Sequence, residues 1–263
     1  MKFILVDGSY YLFYRFHALR LWWKNAHPHD ELGDPAANEI FVEAFNRTFT
    51  SKLKEIPKKL KIAESINFVG KDCPRGEIWR NKLYPEYKST RASNAECAPF
   101  FAAAYAEDMF AKGGFPVTLG HEGLEADDCI AITTRHIMAT YPDAEIYIIT
   151  GDMDYLQLAH ERVHLYNLKF SKLTDMKSSL KDPSKDLMHK ILMGDKSDNI
   201  PPIFRGCGAK TAIKLIESSS ALDAKLMDPE IRKAFDANTT LVDFDRIPED
   251  LVQSFKRNCL GLH

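Results

Sequence analysis

Five short apolar runs constrain the fold of this chain more than any other feature of its sequence. They lie at residues 3–6, 66–69, 116–119, 146–149 and 163–166, and Gly or Asp closely follows four of them. Such runs are typical of buried strands. Helical patterns lie between them, at residues 41–53, 98–111 and 124–138. Strands that alternate with helices predict an α/β fold, with a mostly parallel central sheet flanked by helices.

The strand signal ends near residue 175. Beyond it the sequence shows only short helical patterns, at residues 187–193, 210–217, 228–235 and 248–255. We therefore predict two parts, an α/β part over residues 1–175 and a small helical part over residues 176–263. Residues 19–63 are harder to place as a whole, because Trp22, Trp23 and a polar stretch precede their helical run.

The composition is that of an ordinary globular protein, and it excludes several classes. The 263 residues are 45% hydrophobic and 27% charged, which excludes disordered and collagen-like chains. No apolar run approaches the ~20 residues that a membrane span needs. The five cysteines are scattered without a Cys-x-x-Cys pair, which disfavours a disulfide framework or a structural zinc site. We expect a protein of the reducing cytoplasm, or of the host cytoplasm if a phage encodes it.

Acidic residues collect where the predicted strands end. Parallel strands bring their carboxyl ends to one edge of a sheet, where open α/β folds bind ligands. Carboxylates that lie close together repel one another. Oxygen ligands suit magnesium or manganese ions. Two such ions, bound close together, form the two-metal site of nucleases and phosphatases. One such acid alone is more often a turn former or helix cap. Five separate segments supply the candidates, which together favour a metal site: Asp7, Asp72, Glu125, Asp127, Asp128, Asp152, Asp154, Asp195 and Asp198.

Basic residues form separate local clusters although the net charge is only −2. Five lysines lie within residues 52–61, four Lys or Arg residues surround Tyr84 and Tyr87, and three more lie within residues 205–214. Basic stretches with interleaved aromatic residues suit a phosphate backbone and its bases. A single basic run is more commonly a solvated face. The combination with an acidic crevice favours an enzyme that cuts a polyanion.

Five segments form one set of motifs: FILVDGSYYLFYRFHA at 3–18, DCPRGEIWRNKLYPEYKSTR at 72–91, GLEADD at 123–128, TGDMDYLQL at 150–158 and GDKSDNIPPIFRGCGAKTA at 194–212. This set resembles the 5′-to-3′ exonuclease and flap endonuclease family, whose fold is a PIN-like nuclease core with a helix-three-turn-helix. Residues 241–248, LVDFDRIP, further resemble the T-even phage ribonuclease H branch. The turn at residues 201–208 departs from the family pattern, since it is one residue longer and has Pro202 and Cys207 at unusual places.

The resemblance implies a structure-specific 5′ nuclease, both 5′-to-3′ exonuclease and 5′-flap endonuclease, with two Mg²⁺ or Mn²⁺ ions. The first ion would be held by Asp7, Asp72, Glu125 and Asp127. The second would be held by Asp152, Asp154 and Asp198, while Asp128 and Asp195 orient ligands or waters. Among the cations, the resemblance implies that Lys88 contacts the scissile phosphate and that Arg80 or Arg91 helps to position it.

The resemblance also implies a substrate path and partners. The substrates would be DNA with 5′ flaps or ends and RNA–DNA hybrid, cleaved to remove primers or flaps in replication and repair. An arch over the site would draw on residues 82–103, and a potassium ion would sit in the helix-three-turn-helix. Replication proteins such as a single-strand binding protein or a clamp would be partners of a monomer. The DNA-binding residues would be Arg15, Tyr84, Tyr87, Gly206, Gly208, Lys210 and Lys214.

Three other interpretations stay open at this point. A PIN-type ribonuclease acting on single-stranded RNA shares an acid cluster on a similar sheet but lacks the helical clamp. A binding module with a decayed site is disfavoured because the proposed ligands are intact. A phosphotransferase or phosphatase with Asp7 as its nucleophile lacks the expected second Asp two residues on.

Overall fold

The computed structural model describes residues 1–91 and 95–261, and its centre is a five-stranded parallel sheet. The strand order is β3-β2-β1-β4-β5, and every adjacent pair is parallel. This confirms the predicted fold class. The strands are β1 (Lys2–Asp7), β2 (Ile66–Gly70), β3 (Val117–Leu119), β4 (Glu145–Ile149) and β5 (Val163–Tyr166).

Helices cover both faces of the sheet, which explains why its central strand reads as a continuous apolar run. Ile4, Leu5 and Val6 of β1 are all fully buried. The helices are α1 (Gly8–Ala26), α2 (Glu39–Lys59), α3 (Trp79–Leu83), α4 (Ala98–Ala106), α5 (Met109–Lys112), α6 (Ala126–Thr140), α7 (Pro183–Met193), α8 (Ala209–Glu217), α9 (Ser219–Leu226), α10 (Pro229–Val242) and α11 (Glu249–Leu260).

The region that the sequence left unplaced holds the end of α1 and all of α2. Helix α1 begins directly after β1, because the Asp7 carboxylate accepts a hydrogen bond from the Tyr10 N–H (3.0 Å) and caps the helix. Helix α2 begins after Asn38, whose side chain caps it in the same way. Both helices pack on one face of the sheet, in a core that includes Phe16 and Phe49.

One helix prediction needs correction, and α1, α3 and α9 were not predicted. The single helix expected over residues 98–111 is two helices, α4 and α5, because Asp108 between them adopts a left-handed conformation (φ 52°). The sequence also gave no sign of α9, which Ser218 caps by accepting a hydrogen bond from the Ala221 N–H. The other C-terminal helices are confirmed with shifted bounds.

The C-terminal helices contribute to more than one core. Helices α7 and α8 pack around Leu192, Cys207 and Leu215. Helix α11 instead returns to the sheet, where Phe255 is fully buried in the core that contains α6. The division at residue 175 stays a prediction about folding units. Within the described residues, no helix is long and apolar enough to cross a membrane.

Candidate active site

The carboxyl ends of the central strands meet at one edge of the sheet, and acidic residues from separate segments meet there with them. Asp7 ends β1, Asp72 follows β2, and Asp152 follows β4. Helix α6 begins at the same edge, because its first N–H, that of Ala126, donates to the Asp72 carboxylate (2.7 Å). Tyr155 follows β4 in the chain, and its hydroxyl donates to Asp7 (3.3 Å), so the segment after β4 contacts the acid at the end of β1.

Two groups of three carboxylates stand out within this edge. In each group, one oxygen per residue lies within 4.8 Å of the others. The Glu125 group consists of Glu125, Asp127 and Asp128 at the start of α6. The Asp154 group consists of Asp154, Asp195 and Asp198, from the turn after β4 and the loop after α7.

A buried guanidinium holds the Glu125 group. Arg80, only 2% exposed, contacts both oxygens of Asp128 (2.8 Å each) and one oxygen of Glu125 (3.0 Å). Its Nε donates to the carbonyl of Leu241 (2.8 Å), and the Trp79 indole donates to Asp128 (3.0 Å). Either Arg80 or Arg91 was expected to help position a substrate phosphate. The donors of Arg80 face protein oxygens, which favours Arg91 for that role.

The Asp154 group is held by a side chain that the sequence analysis missed. Lys190 lies in the last turn of α7, and its Nζ is 2.5 Å from the Asp154 carboxylate. The same Nζ also contacts the Asp195 carboxylate. A basic residue in a last helical turn, five positions before an acidic loop residue, is the sequence signal that could have identified it.

Lys88 joins the two groups. Its Nζ contacts Glu125 and lies 3.8 Å from Asp198, while its backbone N–H donates to the Asp198 carbonyl (2.9 Å). Arg91, about half exposed, also contacts Asp198. Tyr87, expected to bind DNA, is 5% exposed and donates to Glu125 (3.0 Å) and Asp198 (3.3 Å). The structure therefore assigns Tyr87 to the support of the acids, because its hydroxyl is directed inward.

The charge of the acids is incompletely balanced. Burial and the neighbouring Asp72 raise the pKa of Asp7 from its usual 3.8 to about 6. Burial and the neighbouring Asp152 raise the pKa of Asp154 to about 7. The pKa of Asp127 is raised well above its usual value, by burial and the nearby acids of its group. These directions are typical of carboxylates crowded together away from water.

Lys190 affects its two acidic partners differently. Although burial opposes it, Lys190 lowers the pKa of Asp195 to about 2, with help from hydrogen bonds from Ser197. Asp154 contacts the same ammonium, yet its pKa is raised, because it is more buried and lies beside Asp152. One ammonium therefore does not neutralise this side of the site. Among the described residues, the cations in contact with the nine acids are Arg80, Lys88, Arg91 and Lys190.

The remaining candidate DNA-binding residues lie in the turn before α8, on α8, on α1 and at the end of α3. Gly206 and Gly208 are exposed in the turn before α8, and Lys210 and Lys214 are exposed on that helix. Gly206 has a φ of +91°, which only glycine adopts readily. Gly208 is extended, with open space where a Cβ would lie.

Arg15 is half-buried on α1, and its guanidinium lies 6.0 Å from the Tyr14 ring centre. The Tyr84 hydroxyl donates to the Asn199 carbonyl (3.0 Å), so this tyrosine joins α3 to the loop after α7. The expected arch at residues 82–103 contains residues 92–94, which lie outside the described residues.

Fold and site together define a nuclease-type α/β protein, and comparison with known proteins identifies its family. Residues 2–185 match the family described as "5′-3′ exonuclease, N-terminal resolvase-like domain". The 5′-3′ exonuclease of Bacillus subtilis is 31% identical over 234 residues, which cover 86% of this chain and 73% of that protein. The chain belongs to this 5′-3′ exonuclease family, so the nuclease class that the motifs indicated is confirmed.

Two further similarities define how far the relationship extends. The thermostable DNA polymerase I of Thermus aquaticus is 28% identical over 88% of this chain, but the chain spans only 26% of that enzyme. The bacteriophage T5 flap endonuclease, solved as a pseudo-enzyme-product complex with DNA and metal ions, superposes with a TM-score of 0.68. Its alignment covers 99% of this chain and 98% of that one at 22% identity, which supports the fold. The finer resemblance to the T-even phage branch stays a prediction.

Proposed function

We propose that this chain hydrolyses phosphodiester bonds at 5′ ends and 5′ flaps of DNA, with two divalent cations at the acidic edge of its sheet. One observation carries the proposal: a member of the 5′-3′ exonuclease family places two groups of three carboxylates at the carboxyl edge of its parallel sheet. The T5 flap endonuclease, which shares the fold, was crystallised with DNA and metal ions.

The residues present fit Mg²⁺ or Mn²⁺. The donors are all oxygens, and the raised pKa values of Asp7, Asp127 and Asp154 indicate negative charge that a cation would stabilise. When bound, the two cations would lower the pKa of a water and offset charge on the phosphoryl group. The proposed ligands are Asp7, Asp72, Glu125 and Asp127 for one cation, and Asp152, Asp154 and Asp198 for the other.

Two acids are proposed to support the others. Both Asp128 oxygens already accept hydrogen bonds from Arg80, and one also accepts a hydrogen bond from Trp79. Asp195 accepts from both the backbone and the hydroxyl of Ser197 (2.6 and 2.8 Å). These bonds fix the geometry of the neighbouring acids, as outer partners of metal ligands commonly do.

Lys88 is the proposed catalytic cation. Its Nζ lies between Glu125 and Asp198, so it faces the space between the two groups where a phosphate would sit. An ammonium at that place stabilises the negative charge that develops on a phosphate oxygen during cleavage. Arg91 is more exposed and contacts only one group, which favours a role in positioning the substrate.

The turn before α8 is the proposed grip on the duplex part of the substrate. The first N–H groups of a helix are free to bind an anion, and the α8 N-terminus is exposed. Lys210 and Lys214 add positive charge beside it. A potassium ion in this turn, RNA–DNA hybrid as a substrate, replication-protein partners and a monomeric state stay predictions. No polymerase function is proposed, because the chain spans about a quarter of the polymerase relative.

Digestion of labelled substrates tests the proposal. Flap, nicked and overhang DNA duplexes, an RNA-primed duplex and plain single-stranded RNA are incubated with Mg²⁺, with and without excess chelator. We expect products released from 5′ ends and flap junctions of the DNA substrates, and none in chelator. Cleavage that persists in chelator would contradict the metal site. A preference for plain single-stranded RNA would favour the PIN-type ribonuclease instead.

A further inference from the structure

The proposed function leaves Lys190 without a role, although its ammonium lies inside the Asp154 group. The Nζ is 2.5 Å from Asp154 and also contacts Asp195. The carboxylate oxygens of Asp154, Asp195 and Asp198 lie within 4.8 Å of one another. The ammonium and a divalent cation would therefore compete for the Asp154 carboxylate, which is a proposed ligand, since close cations repel strongly in a half-buried site.

Lys190 differs from the buried Arg80 in exposure and in the flexibility of its side chain. Its side chain is 22% exposed, and a lysine carries its charge on a flexible four-carbon stem. A cavity of about 70 Å³ lies beside it, lined by residues that include Leu187, His189 and Lys190 itself. The ammonium thus has room to leave the acids without unfolding α7.

The same cavity offers a second partner for the ammonium. Asp186 also lines it and lies four residues before Lys190 on α7. Residues at this spacing share one helix face, and an acid four positions before a lysine is the favourable order for an ion pair. Asp186 now accepts hydrogen bonds from Ser179 (3.0 Å) and from the Leu180 N–H (2.7 Å), which orient its carboxylate.

We propose that Lys190 is an exchangeable counter-ion of the Asp154 group. In the metal-free protein it holds Asp154 and Asp195 together. When a divalent cation binds this group, the ammonium leaves and turns along α7 to Asp186. Lys190 is thus a positioning residue that keeps an acidic half-site assembled until a cation replaces it. The inference rests on the metal site proposed above.

Magnesium titration of chelator-treated protein tests this exchange. Lys190→Met should bind Mg²⁺ at the Asp154 group about tenfold more tightly than the wild type, the value of one hydrogen bond to a charged group. Asp186→Asn should bind Mg²⁺ more weakly, because the departing ammonium loses its second partner. Lys185→Met is the matched control, since Lys185 is an exposed lysine on the same helix, and it should bind as the wild type does.

Thermal unfolding supplies a readout that a merely structural lysine would not give. In chelator, Lys190→Met should melt below the wild type, because the acids lose their counter-ion. In saturating Mg²⁺ the difference should disappear. An equal loss in both conditions, or unchanged or weaker Mg²⁺ binding by Lys190→Met, would overturn the exchange. A wild type that binds no divalent cation would instead overturn the proposed metal site itself.

Discussion

The two acidic groups lie at the same edge of the sheet but are held together in different ways. The Glu125 group rests on Arg80, a guanidinium that is 2% exposed and contacts both oxygens of Asp128. The Asp154 group is held by Lys190, whose side chain is 22% exposed, and by Arg91, whose side chain is 44% exposed. One half of the site therefore has a buried counter-ion, and the other half has counter-ions that are partly exposed.

The difference between the two sets of counter-ions shows two ways in which acids stay clustered in the absence of a metal ion. A buried cation that cannot leave preorganises the Glu125 group, at the cost of desolvating a guanidinium. The Asp154 group is instead held by the Lys190 ammonium, which we propose a divalent cation replaces, and by the guanidinium of Arg91. Lys88 contacts an acid of each group, so a change in the charge of either group would affect its ammonium.

The largest expected effect is on stability, from Arg80→Met. The substitution leaves the fully buried Asp128 without its charge partner, so we expect the free energy of unfolding to fall by about 3–5 kcal/mol. Urea unfolding measures this loss. Arg135→Met is the control, because its ion pair with Asp245 is exposed and should contribute less than about 1 kcal/mol. Equal, small losses in both variants would contradict a fixed counter-ion at the Glu125 group.

Next in size is the effect of Lys88→Ala on cleavage. A cation that acts on developing charge is worth roughly 2–4 kcal/mol, so the single-turnover rate should fall on the order of 100-fold. The dissociation constant for DNA should change much less. Lys82→Ala, an exposed lysine of α3, serves as the control. If Lys88→Ala weakened binding but kept the rate, Lys88 would be a phosphate anchor and not a catalytic cation.

The metal-free protein should lose stability as the pH rises from about 4 to about 7. The pKa values of Asp7 and Asp154 are about 6 and about 7 in the folded protein, against 3.8 unfolded. The folded state thus binds more protons in this range, and unfolding becomes easier as they dissociate. At about 1.4 kcal/mol per pKa unit, we expect a loss on the order of 3 kcal/mol from Asp7 and 4 kcal/mol from Asp154.

Unfolding in chelator at several pH values checks this loss. Asp154→Asn should flatten the pH dependence, because the amide does not ionise, and saturating Mg²⁺ should remove most of it in the wild type. A metal-free protein whose stability rises over this range would show that the acids are already fully compensated by the cations around them.

The smallest effect is expected at Lys210, an exposed lysine in the first turn of α8. Lys210→Ala should lower the salt dependence of duplex binding by about one phosphate contact. The saturating single-turnover rate and the Mg²⁺ affinity should stay at the wild-type values. Binding measured at several salt concentrations checks this. A changed Mg²⁺ affinity would show that the turn before α8 is coupled to the acidic groups and does not act independently of them.

Much of this architecture could be predicted because its signals are local. A short apolar run followed by Asp or Gly marks both a buried strand and the acid at its end, so β1 and Asp7 follow from the same few residues. Helix α1 escaped detection because apolar side chains occur all around it. Leu21 and Trp22 are exposed although Phe16 and Trp23 of the same helix are buried, which hides the helical period.

The counter-ions could not be assigned from sequence for a different reason. Arg80 and Lys88 lie in one basic stretch and look equivalent there, yet the first is buried and the second faces the site. What separates them is packing from distant segments: the Leu241 carbonyl that holds Arg80 lies 161 positions away. Lys190 contacts Asp154 only because α7 ends beside the turn that carries Asp154.

A crystal structure of the protein with bound Mn²⁺, located by anomalous scattering, tests the central comparison most directly. We predict one ion at each acidic group, with Arg80 still on both oxygens of Asp128. We also predict that the Lys190 ammonium has left Asp154 and Asp195 and lies near Asp186. An ion bound at the Asp154 group with Lys190 still in contact with both acids would contradict the account, as would an Arg80 that moves as far as Lys190.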